Sequence, residues 1–275
     1  MSKLQAFEPY LRKWQAEPDG EPISTPSSCL LPVTVDGRAG MIKLARPIEE
    51  QLGGAVMEWW GGYGAAPVYA RDPQTGALLM ARAMGSKHLL RMALSGADDE
   101  ATQIVCQTIA QLHEKRIEPG PKGLYSLDRS FESLAPMAVR EGDLLATCHA
   151  IATELLSSQR ERVVLHGDAH HSNILDFSER GWLAIDPKGV IGERYYDYVN
   201  VLCNPDLPTC VEPARFERQL DLVCTHAKLH RTRLLQWVMA HAGLSAAWFL
   251  EDGEREKADT ELLVARLAKS QLGLD

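Results

Sequence analysis

The sequence predicts an α+β fold in two lobes, a small β-rich lobe first and a larger, mostly helical lobe after it. Three observations predict it. The first third holds two pairs of short apolar runs, each pair joined by strong turn residues. After about Gly85, apolar residues recur at helical spacing. One strand-rich stretch, residues 162–191, interrupts that helical part. The texture changes over residues 81–85, so the expected lobes are 1–84 and 85–275.

The elements follow in order. LPVTV at 31–35 and AGMIKL at 39–44 flank Asp36-Gly37 and form an expected β-hairpin. Residues 47–60 read as a helix, although the Gly53-Gly54 pair weakens it. Residues 67–70 and 77–83 flank Asp72-Pro73-Gln74-Thr75-Gly76 and form a second hairpin. The helical stripes are Ile104, Val105, Ile109 and Leu112, then Leu144, Leu145, Cys148, Ile151, Ala152, Leu155 and Leu156, with Asp143 placed as an N-cap. Phe216, Leu220, Val223 and Ala227 form a third stripe. Leu234, Leu235, Val238, Met239 and Ala242 form a fourth, and Leu262, Leu263 and Leu267 a fifth. All five read as core faces.

Composition excludes several classes. The 275 residues carry 29 Lys and Arg against 37 Asp and Glu, a net charge of −8. Hydrophobic residues make up 45%, so the chain can bury a core. The acidic balance argues against a nucleic-acid surface, which needs clustered cations. No uncharged apolar stretch reaches the ~18–20 residues that span a bilayer, and MSKLQAFEPYLRKWQAEPDGE lacks an apolar run, so no signal peptide is expected. Cys29, Cys106, Cys148, Cys203, Cys210 and Cys224 form no C-x-x-C pair and read as small buried hydrophobes. A cytoplasmic location is expected.

The chemistry lies in VVLHGDAHHSNILDFSERGWLAIDPKGVIG. Val163-Val164-Leu165 reads as a strand, followed by His166-Gly167-Asp168. Asn173 stands five residues after Asp168. Ile174-Leu175 resumes a strand, residues 178–181 turn, and residues 182–185 return as its partner. Asp186 ends that partner, 18 residues after Asp168. Three polar groups therefore converge at strand ends and in one loop. Phosphoryl transfer from a nucleotide needs this set. One carboxylate orients the attacking hydroxyl and takes its proton, and a carboxylate with an amide oxygen suffices for Mg²⁺. Asp168, Asn173 and Asp186 fill those roles.

H-G-D-x-H-x-x-N followed by I-D-P resembles the aminoglycoside phosphotransferase superfamily of small-molecule kinases, which share the protein-kinase-like fold. The longer run LHGDAHHSNIL…GWLAIDPKGVIGE…YD is similar to the streptomycin 6-kinase and hydroxyurea kinase branch. The later LSAAW, with DGE after it, resembles the same branch. The resemblance implies a bilobal kinase-like fold, with a nucleotide-binding lobe over 1–84 and a catalytic and acceptor lobe over 85–275. It implies ATP and Mg²⁺ as cofactors. Asp168 becomes the base, and Asn173 and Asp186 the metal ligands. His166 would brace the loop by hydrogen bonding, and Asp197 would support it from behind. Lys43, in MIKL, matches the strand lysine that contacts the phosphates. The alternative for Lys43 is an edge-strand lysine pointing to water.

The nucleotide lobe departs from the family pattern. No G-x-G-x-x-G covers the phosphates; Ser24-Thr25-Pro26-Ser27-Ser28 stands there, with Ser27 and Ser28 as candidate donors. The glutamate that would pair with Lys43 is Glu49, Glu50 or Glu58. Asp186 lies in D-P-x-G, the usual form of the small-molecule branch.

The expected acceptor is a small cationic molecule such as streptomycin. Trp248, Glu251 and Asp252 are candidate acceptor contacts, and Asn200 and Asn204 further ones. For Trp248 the alternative is a core residue, and for the carboxylates a solvated surface. Hydroxyurea, small and neutral, would need none of these charges. Two other readings compete. One takes His166, Asp168, His170 and His171 as part of a zinc hydrolase cluster. The other is a non-catalytic nucleotide-binding protein, whose mark would be a lost base or metal ligand.

Overall fold

The computed structural model describes residues 3–46, 48–205 and 208–274, without the side chains of residues 3 and 48–50. The first lobe runs α1 (Glu8–Trp14), β1 (Glu17–Pro18), β2 (Ile23–Ser24), β3 (Ser28–Val35), β4 (Arg38–Ala45), α2 (Ile48–Trp60), β5 (Val68–Arg71) and β6 (Leu78–Ala81). The second holds α3 (Leu89–Leu94), α4 (Asp98–Leu112), β7 (Tyr125–Ser126), α5 (Leu127–Ser130), α6 (Leu134–Glu141) and α7 (Asp143–Ser157). It continues with β8 (Arg162–Leu165), β9 (Ile174–Asp176), β10 (Trp182–Ala184), β11 (Val190–Glu193) and α8 (Val199–Leu202). Three long helices close it: α9 (Pro213–Ala227), α10 (Arg231–Glu251) and α11 (Arg255–Gln271).

The first-lobe sheet is antiparallel in the order β1-β3-β4-β6-β5, with β2 also on β3. The Asp36-Gly37 signal holds. Val35 pairs with Arg38, so the loop has two residues, and both have positive φ (48° and 71°). That is the hairpin turn whose twist matches the flanking strands. In the second hairpin the Asp72 carboxylate accepts from the amides of Gln74 and Thr75, at 2.9 and 3.2 Å, and folds the turn. Leu31, Val33, Ile42 and Leu79 pack one sheet face against Phe7.

The helical stripes are core faces with two corrections. Asp143 is not an N-cap: Gly142 occupies that position, Asp143 is the first helical residue, and no side chain caps the helix. In α11 the buried face is Ala258, Val264, Ala265 and Ala268, while Leu263 points to solvent. α10 is buried almost all round from Leu234 to Leu250 and forms the centre of the large lobe. Cys106, Cys148 and Cys210 are buried as expected, whereas Cys29, Cys203 and Cys224 are only half-buried, and none of the six forms a disulfide. No helix among the described residues is long and apolar enough to cross a membrane.

α2 runs unbroken through Gly53-Gly54, against the expectation that the pair weakens it. The glycine is there for contact. A Cβ at Gly53 would lie 1.9 Å from the carbonyl oxygen of Pro187. The helix backbone thus packs directly on the residue after Asp186. Gly53→Ala must therefore push the two segments apart and displace Asp186. We expect a loss of about 1–3 kcal/mol in stability and a drop in turnover of at least about tenfold. Thermal melting and a transfer assay on the purified variant check both.

Candidate active site

The site forms where the two lobes meet. β8 and β11 pair, and Gly64 and Ala66 exchange backbone hydrogen bonds with Ala184 of β10. The loop of residues 166–173 leaves β8 and enters β9. The β9–β10 hairpin then delivers Asp186 beside it, with Trp182 opposite Asp176. Two backbone bonds fix the juxtaposition: Ile185 N–H to the Asn173 carbonyl, 2.9 Å, and Lys188 N–H to the His166 carbonyl, 2.8 Å.

His166 is fully buried and braces the loop. Its Nε2 lies 2.8 Å from the Ile185 carbonyl oxygen and so donates to it. Its Nδ1 accepts from the Asp168 amide at 3.2 Å. Both nitrogens are used, which fixes one neutral tautomer and leaves none for a metal. Burial also pushes its pKa down. His171 is buried as well, and among the described residues no group of three or more His, Cys, Asp and Glu can hold a metal ion. The zinc reading has no geometry behind it.

Asp197, 1% exposed, sits behind the loop. Its carboxylate accepts from the amides of His166 (2.8 Å) and Gly167 (2.7 Å) and contacts His113 Nε2 at 2.7 Å. Burial works to raise its pKa, but the His113 hydrogen bond and the loop donors outweigh it, and the carboxyl stays below its ordinary value. His113, at the C-cap of α4, was not legible as a site residue: it followed a stripe that read only as core.

Asp168 is 32% exposed, and each of its two oxygens has its own amide partner. Asn200 Nδ2 lies 3.3 Å from Oδ1, and Asn173 Nδ2 lies 3.3 Å from Oδ2. Asn200 thus positions the aspartate, a different place from the acceptor contact expected of it. Asn204 supports Asn200 by donating to its carbonyl, 3.0 Å. Asn173 donates from Nδ2 to the Asp168 carbonyl as well, 2.9 Å, so the amide nitrogen is turned to Asp168 and the amide oxygen is the atom that could ligate a cation.

Lys43 lies on β4 between Leu30 and Leu78 and is 7% exposed, so it is no edge lysine in water. Its ammonium pairs with Asp186 Oδ1. Burial works to raise the Asp186 pKa, but the charges of Lys43 and then Lys188 prevail and hold it below the usual carboxylate range. Asp186 has φ of +64°, a left-handed backbone that a non-glycine residue adopts at a cost of about 1–3 kcal/mol. Glu58 does not pair with Lys43; it binds Arg71 at 2.8 Å. The side chains of Glu49 and Glu50 lie outside the described residues. Ser28 is buried, and its amide donates to Thr25 Oγ1 at 2.9 Å, so that donor is spent within the turn. Ser27 is half-buried beside it.

A cavity of about 480 Å³ opens at Asp168. Tyr125, Arg129, Glu132, Lys188, Tyr196 and Trp248 are among the residues on its wall. Tyr196 OH meets His241 Nδ1 at 3.1 Å at its floor, and burial pushes the His241 pKa down to about 4. Glu251 does not line the cavity itself but accepts from Ser133 Oγ, which does, at 3.1 Å. Asp252 caps α10, is exposed, and does not line the cavity. Glu132, Arg129 and Lys188 were missed in the sequence, because the turns that carry Glu132 and Lys188 and the single-turn helix α5 that carries Arg129 are too short to show a periodic signal. Two larger hollows, of about 900 and 630 Å³, lie elsewhere and do not include Asp168.

A two-lobed fold, with this aspartate loop and a paired lysine and aspartate beside it, defines a protein-kinase-like phosphotransferase. Residues 13–253 match the family model described as aminoglycoside/hydroxyurea antibiotic resistance kinase, and the chain belongs to that family. It is a small-molecule kinase. It is 45% identical over 248 residues to a streptomycin 3''-kinase of Klebsiella pneumoniae, covering 88% of this chain and 92% of the relative. It is 28% identical to a hydroxyurea phosphotransferase of Kitasatospora aureofaciens, covering 96% and 78%. In fold it is similar to the aminoglycoside phosphotransferase APH(4)-Ia, solved in a ternary complex with ADP and hygromycin B. There the TM-score is 0.67 at 14% identity, over 98% of this chain and 99% of that one.

Proposed function

We propose that this kinase transfers the γ-phosphoryl group of ATP to a hydroxyl of streptomycin, at the 3'' position. The observation that carries the reading is that Asp168 stands at one cavity with Trp248 and Glu132 on its wall, and with Glu251 bonded to the wall residue Ser133. Such a cavity offers a base, a stacking face and carboxylates to a cationic sugar. The 45% identity to a streptomycin 3''-kinase supports the choice of acceptor and position.

In the mechanism, Asp168 orients the acceptor hydroxyl and takes its proton as the oxygen attacks phosphorus. Asn173 and Asn200 keep that carboxylate in place. Lys43 neutralises phosphate charge on the nucleotide side, with Ser27 as a backbone donor. Asn173 Oδ1 and the Asp186 carboxylate are hard oxygen donors and fit Mg²⁺. That ion, when bound, would supply charge neutralisation across the phosphates. Residues 1–84 then act as the nucleotide lobe and 85–275 as the catalytic and acceptor lobe. Reliance on ATP supports a cytoplasmic location.

A coupled assay against streptomycin, other aminoglycosides, hydroxyurea and amino sugars tests the proposal, with the product position read by NMR. Streptomycin phosphorylated at 3'' is expected. Turnover of hydroxyurea alone would overturn it. Trp248→Ala should raise KM for streptomycin about 5–30-fold, equivalent to losing about 1–2 kcal/mol of stacking, while kcat stays within about threefold. Steady-state kinetics with saturating ATP reads this split.

A further inference from the structure

We propose that Lys188 is a further catalytic residue, its ammonium contacting the phosphoryl group in flight between nucleotide and acceptor. The proposal rests on the phosphotransfer reading of Asp168 and Asp186, and is independent of which acceptor is used.

Lys188 lies two residues past Asp186, in the turn Asp186-Pro187-Lys188-Gly189. Its amide is bonded to the His166 carbonyl at 2.8 Å. A Cβ on Gly167 would stand 3.2 Å from Lys188 Cβ, so turn and catalytic loop lie side by side. The lysine stem therefore starts from a fixed point. Its Nζ stands 3.5 Å from Asp168 Oδ2. It stands only two residues from Asp186 in the same turn, and its side chain lines the cavity that holds Asp168. One cation is thus in range of the carboxylate that takes the proton and of the carboxylate on the nucleotide side. The transferring group must cross between those two.

During transfer, the acceptor oxygen bonds to the γ-phosphorus while the bond from that phosphorus to the β,γ-bridging oxygen breaks. The proton passes to Asp168, and the electron pair leaves with ADP. Negative charge spreads over the three equatorial oxygens, and cations fixed around them stabilise it. Lys43 serves the nucleotide side, paired with Asp186. Lys188 serves the acceptor side. Its compact ammonium can move from Asp168 to a phosphoryl oxygen without losing contact with either.

The test compares the full chain with K188M and K188R. Three quantities are read: transfer to whichever acceptor the wild type uses, slow hydrolysis of ATP by water, and binding of ADP with aluminium fluoride, which mimics the flying phosphoryl group. K188M should lower kcat at least about 100-fold in both reactions and leave KM for ATP within about threefold. It should also lose the tightening of ADP by aluminium fluoride, and K188R should recover a tenth or more of the activity. Loss of kcat with wild-type aluminium fluoride binding would overturn the proposal, because Lys188 would then act only by placing Asp168. A kcat within about threefold of wild type would overturn it too. K188Q, which keeps the stem and a polar end, reads the same quantities if K188M does not fold. Wild-type hydrolysis of ATP without streptomycin phosphorylation would remove the acceptor assignment and leave the Lys188 comparison intact.

Discussion

Asp168→Asn should lower kcat about 10³–10⁴-fold and leave ATP affinity within a few-fold of wild type. A positioned general base contributes about 10²–10⁴ to such a step, and here the same carboxylate also orients the hydroxyl. The substitution keeps the volume but removes the base and the charge facing Lys188. The fold should tolerate it, because Asp168 is one-third exposed and its carbonyl still receives Asn173. The nucleotide groups, Lys43 and Asp186, are untouched. Rapid-quench transfer and nucleotide titration on the same preparation make the measurement. A variant within tenfold of wild type would remove Asp168 from the chemistry.

The second large effect is on stability. Asp197→Ala leaves three donors without an acceptor in a buried place: the amides of His166 and Gly167 and the ring of His113. Each orphaned group costs about 1–3 kcal/mol, so roughly 3–9 kcal/mol is expected in total. That is a large part of the stability of a protein this size and should lower the melting point by on the order of 10 °C. Asp197→Asn keeps one acceptor oxygen and should lose less. The pH dependence separates the ionised carboxylate from mere packing. Its folded pKa lies below the unfolded value near ~4, so its stabilisation is complete above that value. The stabilisation is lost as pH falls through the lower, folded pKa. The gap between wild type and Asp197→Ala should therefore stay constant above about pH 5 and narrow below about 4. A gap that does not change down to pH 3 would contradict it.

The sequence made the catalytic loop legible because its geometry is local. Asp168, Asn173 and Asp186 lie on one strand–loop–hairpin unit, where spacing decides who meets whom. The Asp36-Gly37 turn was legible for the same reason. The acceptor cavity was not. Its wall takes Glu132 from the turn before α6, Lys188 from the hairpin exit and Trp248 from α10, and only the long-range packing brings them together. Gly53 looked like a weak point in a helix, because propensity carries no information about a carbonyl arriving from residue 187. Asn200 was placed near the site as an acceptor contact; its hydrogen bond to Asp168, 32 residues away, was not legible because no local spacing encodes it.

α2 has a last consequence. It belongs to the small lobe by sequence, yet Val56, Met57 and Trp60 lie in the same hydrophobic cluster as Ile109 of α4 and Leu165 of β8. Trp60 also stacks on His166, with ring centroids 6.3 Å apart. The half that would hold the nucleotide and the half that would do the chemistry are thus one unit of folding. They should melt in a single calorimetric transition, and a hybrid enzyme made by splicing in a foreign small lobe at residue 84 would have to carry a matching α2 surface with it.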